Sequence, residues 1–336
     1  MAIKTGGQTV MLTSPVHILS CAAVGGRKEA QGPLKHCFDI VSEDSYFGQS
    51  TWEKAEIEML HRCMVRCLDK APNHSTKPEC IVGGDLLNQC ISSAFAVKDS
   101  ALPYLGLYGA CSTMAEGLLL SALLIDSGAY NAALALTGSH FCTAERQYRF
   151  PMEYGGQRTP SAQWTVTGAG AALLSREGGP RISYVTPGCI VDAGICDAGN
   201  MGAAMAPAAY DTITRHFADT GRDFDYYDAV FTGDLGALGH DILQDLLKKD
   251  GINTGLKYMD CGVLIYDLRT QDVHSGGSGC GCGASVLCGH IIPAMQKGVW
   301  KKVLFAATGA LMSPLSCQQG CSIPGICHAV ALETEA

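Results

Sequence analysis

Apolar and polar positions along the chain fall into short extended runs separated by helical stripes. Thr9 to Ile18 is rich in β-formers, whereas residues 22–39 mix glycines with both charge signs, and no regular element is expected there. Ser50 and Glu53 form a capping-box pair ahead of Trp52, Ala55, Met59, Leu60, Cys63, Met64, Cys67 and Leu68. That spacing predicts an amphipathic helix ending before Pro72. Cys80 to Val82 reads as a strand running into GGDLLNQ, with Asp85 and Asn88 at its end. A further apolar run, Tyr104 to Tyr108, leads through Gly109 and Ala110 to Cys111, and Met114 to Ile125 is almost wholly apolar. This predicts a strand, a tight turn and a buried helix, with capping oxygens on Ser112, Thr113 and Glu116.

Beyond that helix, Ala132 to Thr137 is a strand ending in GSH, with His140 just past it. From there to Arg158 no period is evident, and Glu145, Arg146, Arg149, Glu153 and Arg158 are interleaved with Tyr148, Phe150 and Tyr154. A long irregular segment in a compact domain points to function, and its aromatics argue against disorder. Gly168 to Leu174 and Arg181 to Pro187 read as strands, and Pro207 to Asp219 as a helix ended by Gly221. The glycines of GAGAALL suit close backbone approach, but their spacing is not that of a dinucleotide loop.

The pattern then repeats. Tyr227 to Thr232, followed by GDL and a helix over His240 to Lys249, echoes the strand and GGDLLNQ of the first half. Val303 to Gly309 echoes the strand before GSH, and between them a glycine loop holding Cys280 and Cys282 feeds a helix near Ala284. The echo predicts a duplicated α/β chain, halves 1–180 and 181–336, stacked as α/β/α/β/α layers.

Composition narrows the function. With 47% hydrophobic residues, 40 glycines and a net charge of -8, the 336-residue chain fits a soluble globular protein with no nucleic-acid stripe. No signal peptide is visible, and the longest apolar run, Leu118 to Ile125, stops at Asp126, so a cytoplasmic protein without a membrane span is expected. Seventeen cysteines in such a chain are expected to stay reduced. The nearest zinc-like pairs, Cys63 with Cys67 and Cys317 with Cys321, have no matching second pair close in sequence. Cys111 at a helix start is the candidate nucleophile or anion contact, because the helix N-terminus is expected to lower a thiol's pKa.

GACST before a buried helix, the duplicated halves, GAGAALL and the late glycine loop resemble the thiolase-like fold of ketoacyl synthases and thiolases. More narrowly, GDLLNQ, YGACSTMAE, TAERQYRFPMEYGGQ, MGAAMAPAAYDTI, TGDLGALG, GGSGCGCGA and ATGALMSP together resemble the stage V sporulation protein AD family of endospore-forming bacteria. The resemblance implies binding of dipicolinic acid and its calcium chelate, no resident cofactor, and membrane-protein partners from the same operon at the forespore or spore inner membrane. It also implies a homodimer joined across the first half.

Condensing enzymes of this fold pair their cysteine with a histidine from the second-half strand end and a further His or Asn from the glycine loop. Cys111 matches the cysteine, but Asp234 falls near the histidine position and Cys280 near the Asn. The resemblance therefore implies binding in place of catalysis, with an acyltransferase using Cys111 as the alternative. Cys111, Ser112, His140, Glu145, Arg146, Arg149, Tyr154, Asp234 and Cys280 are the candidate ligand contacts. Arginines of the irregular segment, Arg158 included, suit the carboxylates of a pyridine dicarboxylate, and its aromatics suit the ring. Asp85, Glu145 or Asp234 could supply oxygens to calcium.

Overall fold

The structure, a computed structural model, describes residues 2–72, 76–149 and 156–334. In the first half, β1 (His17–Gly26), β2 (Cys80–Gly84), β3 (Tyr104–Gly106), β4 (Ala132–Ser139) and β5 (Gly168–Ser175) lie in the spatial order β3-β2-β4-β5-β1. In the second, β6 (Arg181–Thr186), β7 (Ala229–Thr232), β8 (Tyr258–Asp260), β9 (Lys302–Ala310) and β10 (Gly325–Glu333) lie in the order β8-β7-β9-β10-β6. Position by position the two rows match. In each, the first three strands are parallel and the last two junctions antiparallel. The rows meet where Arg181 of β6 pairs with His17 of β1.

Six helices matter to the site: α1 (Trp52–Asp69), α2 (Thr113–Asp126), α3 (Phe141–Tyr148), α4 (Met201–Thr220), α5 (Gly236–Lys249) and α6 (Cys280–Val286). Helices α2 and α6 lie between the two sheets, α1 covers the outer face of the first, and α4 covers that of the second with α5 against it. Strand alternation makes this layering possible. Ala133 and Ala135 of β4 join the central core while Leu134 and Leu136 face α1; Val303 and Phe305 of β9 point inward while Leu304 and Ala306 meet α4. Met114, Leu118, Ala122 and Ile125 of α2 are fully buried, each of the larger ones contributing about 1.5–3 kcal/mol by leaving water. The small residues of β5 have their expected role: a Cβ on Gly170 would lie 2.3 Å from the Ala284 carbonyl of α6.

Several element boundaries differ from the sequence expectation. Helix α1 is capped by Thr51, whose hydroxyl accepts from Lys54 N at 3.3 Å, and not by Ser50. Strand β1 continues to Gly26, into the segment expected to be irregular, because β5 supplies a ladder partner as far as Gly25. The start of the expected irregular segment is helix α3, whose first turn is capped by His140 accepting from Cys142 N at 3.2 Å. Helix α4 begins at Met201, capped by Asn200, and continues through Pro207; burial of Gly202, Ala204 and Met205 carries the helix upstream of the proline. Helix α5 likewise starts at Gly236, ahead of His240. Cys280 and Cys282 belong to α6 and not to a loop; Gly281 between them lets the helix press against β5, since a Cβ there would lie 2.2 Å from the Gly168 carbonyl.

Candidate functional site

The turn Ala110–Ser112, entered with Ala110 at φ 52°, delivers Cys111 to the start of α2 between the two sheets. There Cys111 lines an inner pocket of about 90 Å³ with Leu86, Tyr148, Gln163, Thr165, Ser278 and Met312. Its Sγ has Ser278 Oγ at 4.0 Å. Burial, and then Asp234, push the thiol well above its ordinary pKa. This overturns the expected acidic thiol: only 7% of the residue is exposed, and desolvation of the thiolate outweighs the pull of the helix N-terminus.

Asp234 follows β7 and lies beneath this pocket. Its Oδ1 accepts from Thr308 Oγ1 at 2.8 Å, and its Oδ2 from Ser278 Oγ and Gly279 N, both at 3.1 Å. Gly279 reaches it with φ 95°, and a Cβ there would meet Ser139 Oγ at 2.7 Å. Burial raises the Asp234 carboxyl to about 6 despite these donors. Asp260 behind it, held by Thr232 and three backbone N–H groups, is raised to about 6 by the same cause. Gln163 donates its Nε2 to the carbonyls of Asp234 and Gly277 at 2.6 and 2.8 Å. Those carbonyls can only accept, so the amide orientation is set, and Oε1 is left buried without a donor among the described residues.

An outer cavity of about 700 Å³ shares Glu145, Arg149 and Ala198 with the inner pocket. Phe141 in its wall stacks at 3.8 Å on Trp164, which lies outside this lining, and the Arg158 guanidinium lies 4.1 Å from the Trp164 centroid. Arg158 Nη1 is buried and has no partner among the described residues. Arg149 pairs with Glu145 at 3.3 Å, and Asp272 and His274 stand across the cavity at 3.5 Å from one another.

The sequence candidates divide accordingly. Cys111 lines the inner cavity and Glu145 and Arg149 line both, Asp234 underlies the inner one, and Cys280 packs in one cluster with Cys111, Leu86 and Ala144, its thiol donating to Gly138 O at 3.0 Å. Ser112 is turned away and donates to Gly109 O at 2.7 Å. His140 points its Nε2 at Ser45 O, 2.8 Å away, and lines a separate cavity of about 280 Å³. Arg146 is ion-paired with Glu53 and lies over the Trp52 ring, bracing α3 on α1. Tyr154 lies outside the described residues. Asp85 is fully buried and bound to its own loop. Among the described residues no histidine lines the inner pocket, and no group of three or more His, Cys, Asp or Glu is arranged to hold a metal ion. Ser278 and Gln163 were not among the sequence candidates. Ser278 sits in the recognisable GGSGCGCGA segment, whereas nothing around Gln163 signals a role.

The family model for stage V sporulation protein AD matches residues 6–333. The chain belongs to the stage V sporulation protein AD family. It is 42% identical over 332 residues to stage V sporulation protein AD of Bacillus subtilis (strain 168), covering 98% of this chain and 97% of that one. Among solved structures, 3-oxoacyl-[acyl-carrier-protein] synthase III from Aquifex aeolicus VF5 superposes with TM-score 0.56 at 13% identity, over 95% of this chain and 99% of the other. Cerulenin-bound OleA from Xanthomonas campestris superposes with TM-score 0.62 at 12% identity, over 96% and 100%. At such identities the likeness is one of fold, and the family member described here is thiolase-like in architecture. Among its described residues no helix is long and apolar enough to cross a membrane.

Proposed function

We propose that this family member binds dipicolinic acid (pyridine-2,6-dicarboxylate) without catalysing a reaction on it, in support of dipicolinate uptake during sporulation. The observation that carries the reading is the pair of cavities that share Glu145, Arg149 and Ala198, with Cys111 in the inner one, no histidine among the described residues of the inner lining, and Arg158 in the outer one. Without an imidazole base, acyl transfer forgoes roughly a 10²–10⁴-fold effect, and the neutral Cys111 thiol is a poor nucleophile. The Arg158 nitrogen that has no partner among the described residues suits a carboxylate, and Phe141 in the outer lining suits an aromatic ring.

Calorimetric titration of the protein with dipicolinate, with and without calcium, tests the reading. Binding is expected, and Arg158→Met should weaken it by at least about tenfold, the loss expected for one charge-assisted contact. Absence of binding to the unmodified protein overturns the proposal. The acyltransferase alternative predicts a Cys111 thioester after incubation with an acyl-CoA; intact mass is expected to show no adduct.

Association with spore membrane proteins of the same operon belongs to this reading, as does a homodimer through the first half. The free edge strand β3 supports the dimer: Leu105, Tyr108 and nearby Phe95 are each about half exposed there, at 45%, 51% and 49%. Light scattering giving a monomer mass at working concentration would remove the dimer.

A further inference from the structure

Outside the linings of both cavities, a thiol and an imidazole meet near the protein surface. Cys37, in the segment after β1, brings its Sγ to 3.9 Å from Nδ1 of His290. His290 lies in Leu287–Ile291, a wider π-turn within the helical run that continues from α6. The two segments can touch because Gly289 has no side chain: a Cβ there would stand 2.5 Å from the Cys37 carbonyl oxygen. The imidazole meets Trp300 edge to face, with ring centroids 5.6 Å apart, and Trp300 is itself held against Phe231 at 5.2 Å. Cys37 and His290 are both partly open to solvent. Among the described residues this is the one thiol whose sulfur is in hydrogen-bond reach of an imidazole.

The pair has the chemistry of a thiol with its own base. Partial burial pushes the Cys37 thiol up while Lys297 pulls it the other way, so little thiolate stands ready at neutral pH. Burial holds His290 below the ordinary imidazole range, which leaves the ring uncharged and able to take a proton there. The base therefore acts as the sulfur attacks, and the Lys297 ammonium favours the negative charge that develops on it.

We propose that Cys37 is a modification site for small disulfides, with His290 as the base that activates its thiol. Cys37 Sγ attacks one sulfur of a low-molecular-weight disulfide while His290 Nδ1 takes the thiol proton. The S–S bond of the reagent breaks, a mixed disulfide forms on Cys37, and the released thiolate receives the proton from His290. The reagent is the oxidant, and a second small thiol reverses the step. The assignment stands apart from the dipicolinate reading, because it uses none of the residues on which that reading rests.

Fully reduced protein mixed with glutathione disulfide at pH 7, followed over time by peptide mass spectrometry, reads the modification at each of the seventeen cysteines. Cys37 is expected to carry the mixed disulfide first, about tenfold faster than Cys189, Cys196 and Cys321, which are more exposed but have no described imidazole beside them. His290→Gln should slow Cys37 by about tenfold or more and leave those three at their wild-type rates; loosened packing would instead open Cys37 and speed it. Lys297→Met, at an exposed position, should slow Cys37 by about threefold. A Cys37 that reacts no faster than the exposed thiols overturns the proposal, and that comparison needs only the unmodified protein, so it holds even where His290→Gln does not fold. An unchanged Cys37 rate in folded His290→Gln overturns it as well.

Discussion

Asp85 and Asp234 occupy matching places in the two halves, each just past the second strand of its sheet, and both are buried. Their partners differ. Asp85 accepts from Leu87 N at 2.8 Å and from Ser93 N and Oγ at 2.7 Å, all in the turn and the short helix Ile91–Val97 that follow it, where Gln89 and Cys90 hold positive φ. Asp234 accepts from Thr308 on β9 and from Ser278 and Gly279 in the glycine loop, so it ties three distant segments together under Cys111. One duplicated motif thus became a local loop clasp in one half and the floor of a pocket in the other. The lesson is that the matching place past the second strand buries the aspartate in both halves, while its use depends on what the neighbouring segments bring to it.

Asp85→Ala should have the largest effect, because it strands buried donors inside one loop: a loss of about 3 kcal/mol or more in denaturant unfolding. A loss below about 1 kcal/mol would mean that the loop does not need its clasp. Asp234→Asn should act through pH. With its carboxyl raised to about 6 by burial, Asp234 favours the folded state fully below about pH 4, and that advantage is lost as pH rises through about 6. Relative to Asn, which does not titrate, the wild-type advantage should shrink by on the order of 2–3 kcal/mol between pH 4 and pH 7. A difference that stays constant across that range would remove the buried-acid description. Ser278→Ala, which deletes one donor to the pocket floor, is expected to cost about 1 kcal/mol and to leave the Asp85 loop untouched, as hydrogen exchange at Ser93 would report. Arg146→Met should be smallest, under about 0.5 kcal/mol, since its pair with Glu53 is solvent-exposed; calorimetry should show dipicolinate affinity unchanged.

Much of this was legible in the residues. The strand echoes foretold the duplicated sheets, and YGACSTMAE foretold the delivery of Cys111 to a buried helix. The concentration of charged and aromatic residues after His140 points to Arg149 and Glu145, and both line the cavities. Arg146 could not be separated from Arg149 by pattern alone. They sit on one short helix, and only its docking on α1 turns Arg146 toward Glu53. The thiol was misjudged for a related reason: a helix start is visible in sequence, but the low dielectric around it and the carboxyl beneath it come from the other half of the chain.

The order of amino acids by itself determined the alternation of strands and helices, the duplication, the family and the place of Cys111, because these depend on local periodicity and on motifs read along the chain. Tertiary structure alone decided that Asp234, Ser278 and Thr308 converge, that Gln163 Oε1 is buried without a donor among the described residues, and that no described histidine lines the inner pocket. Those outcomes require residues far apart in sequence to meet when two sheets close on a central helix layer. Their energies depend on how much water that closure removes.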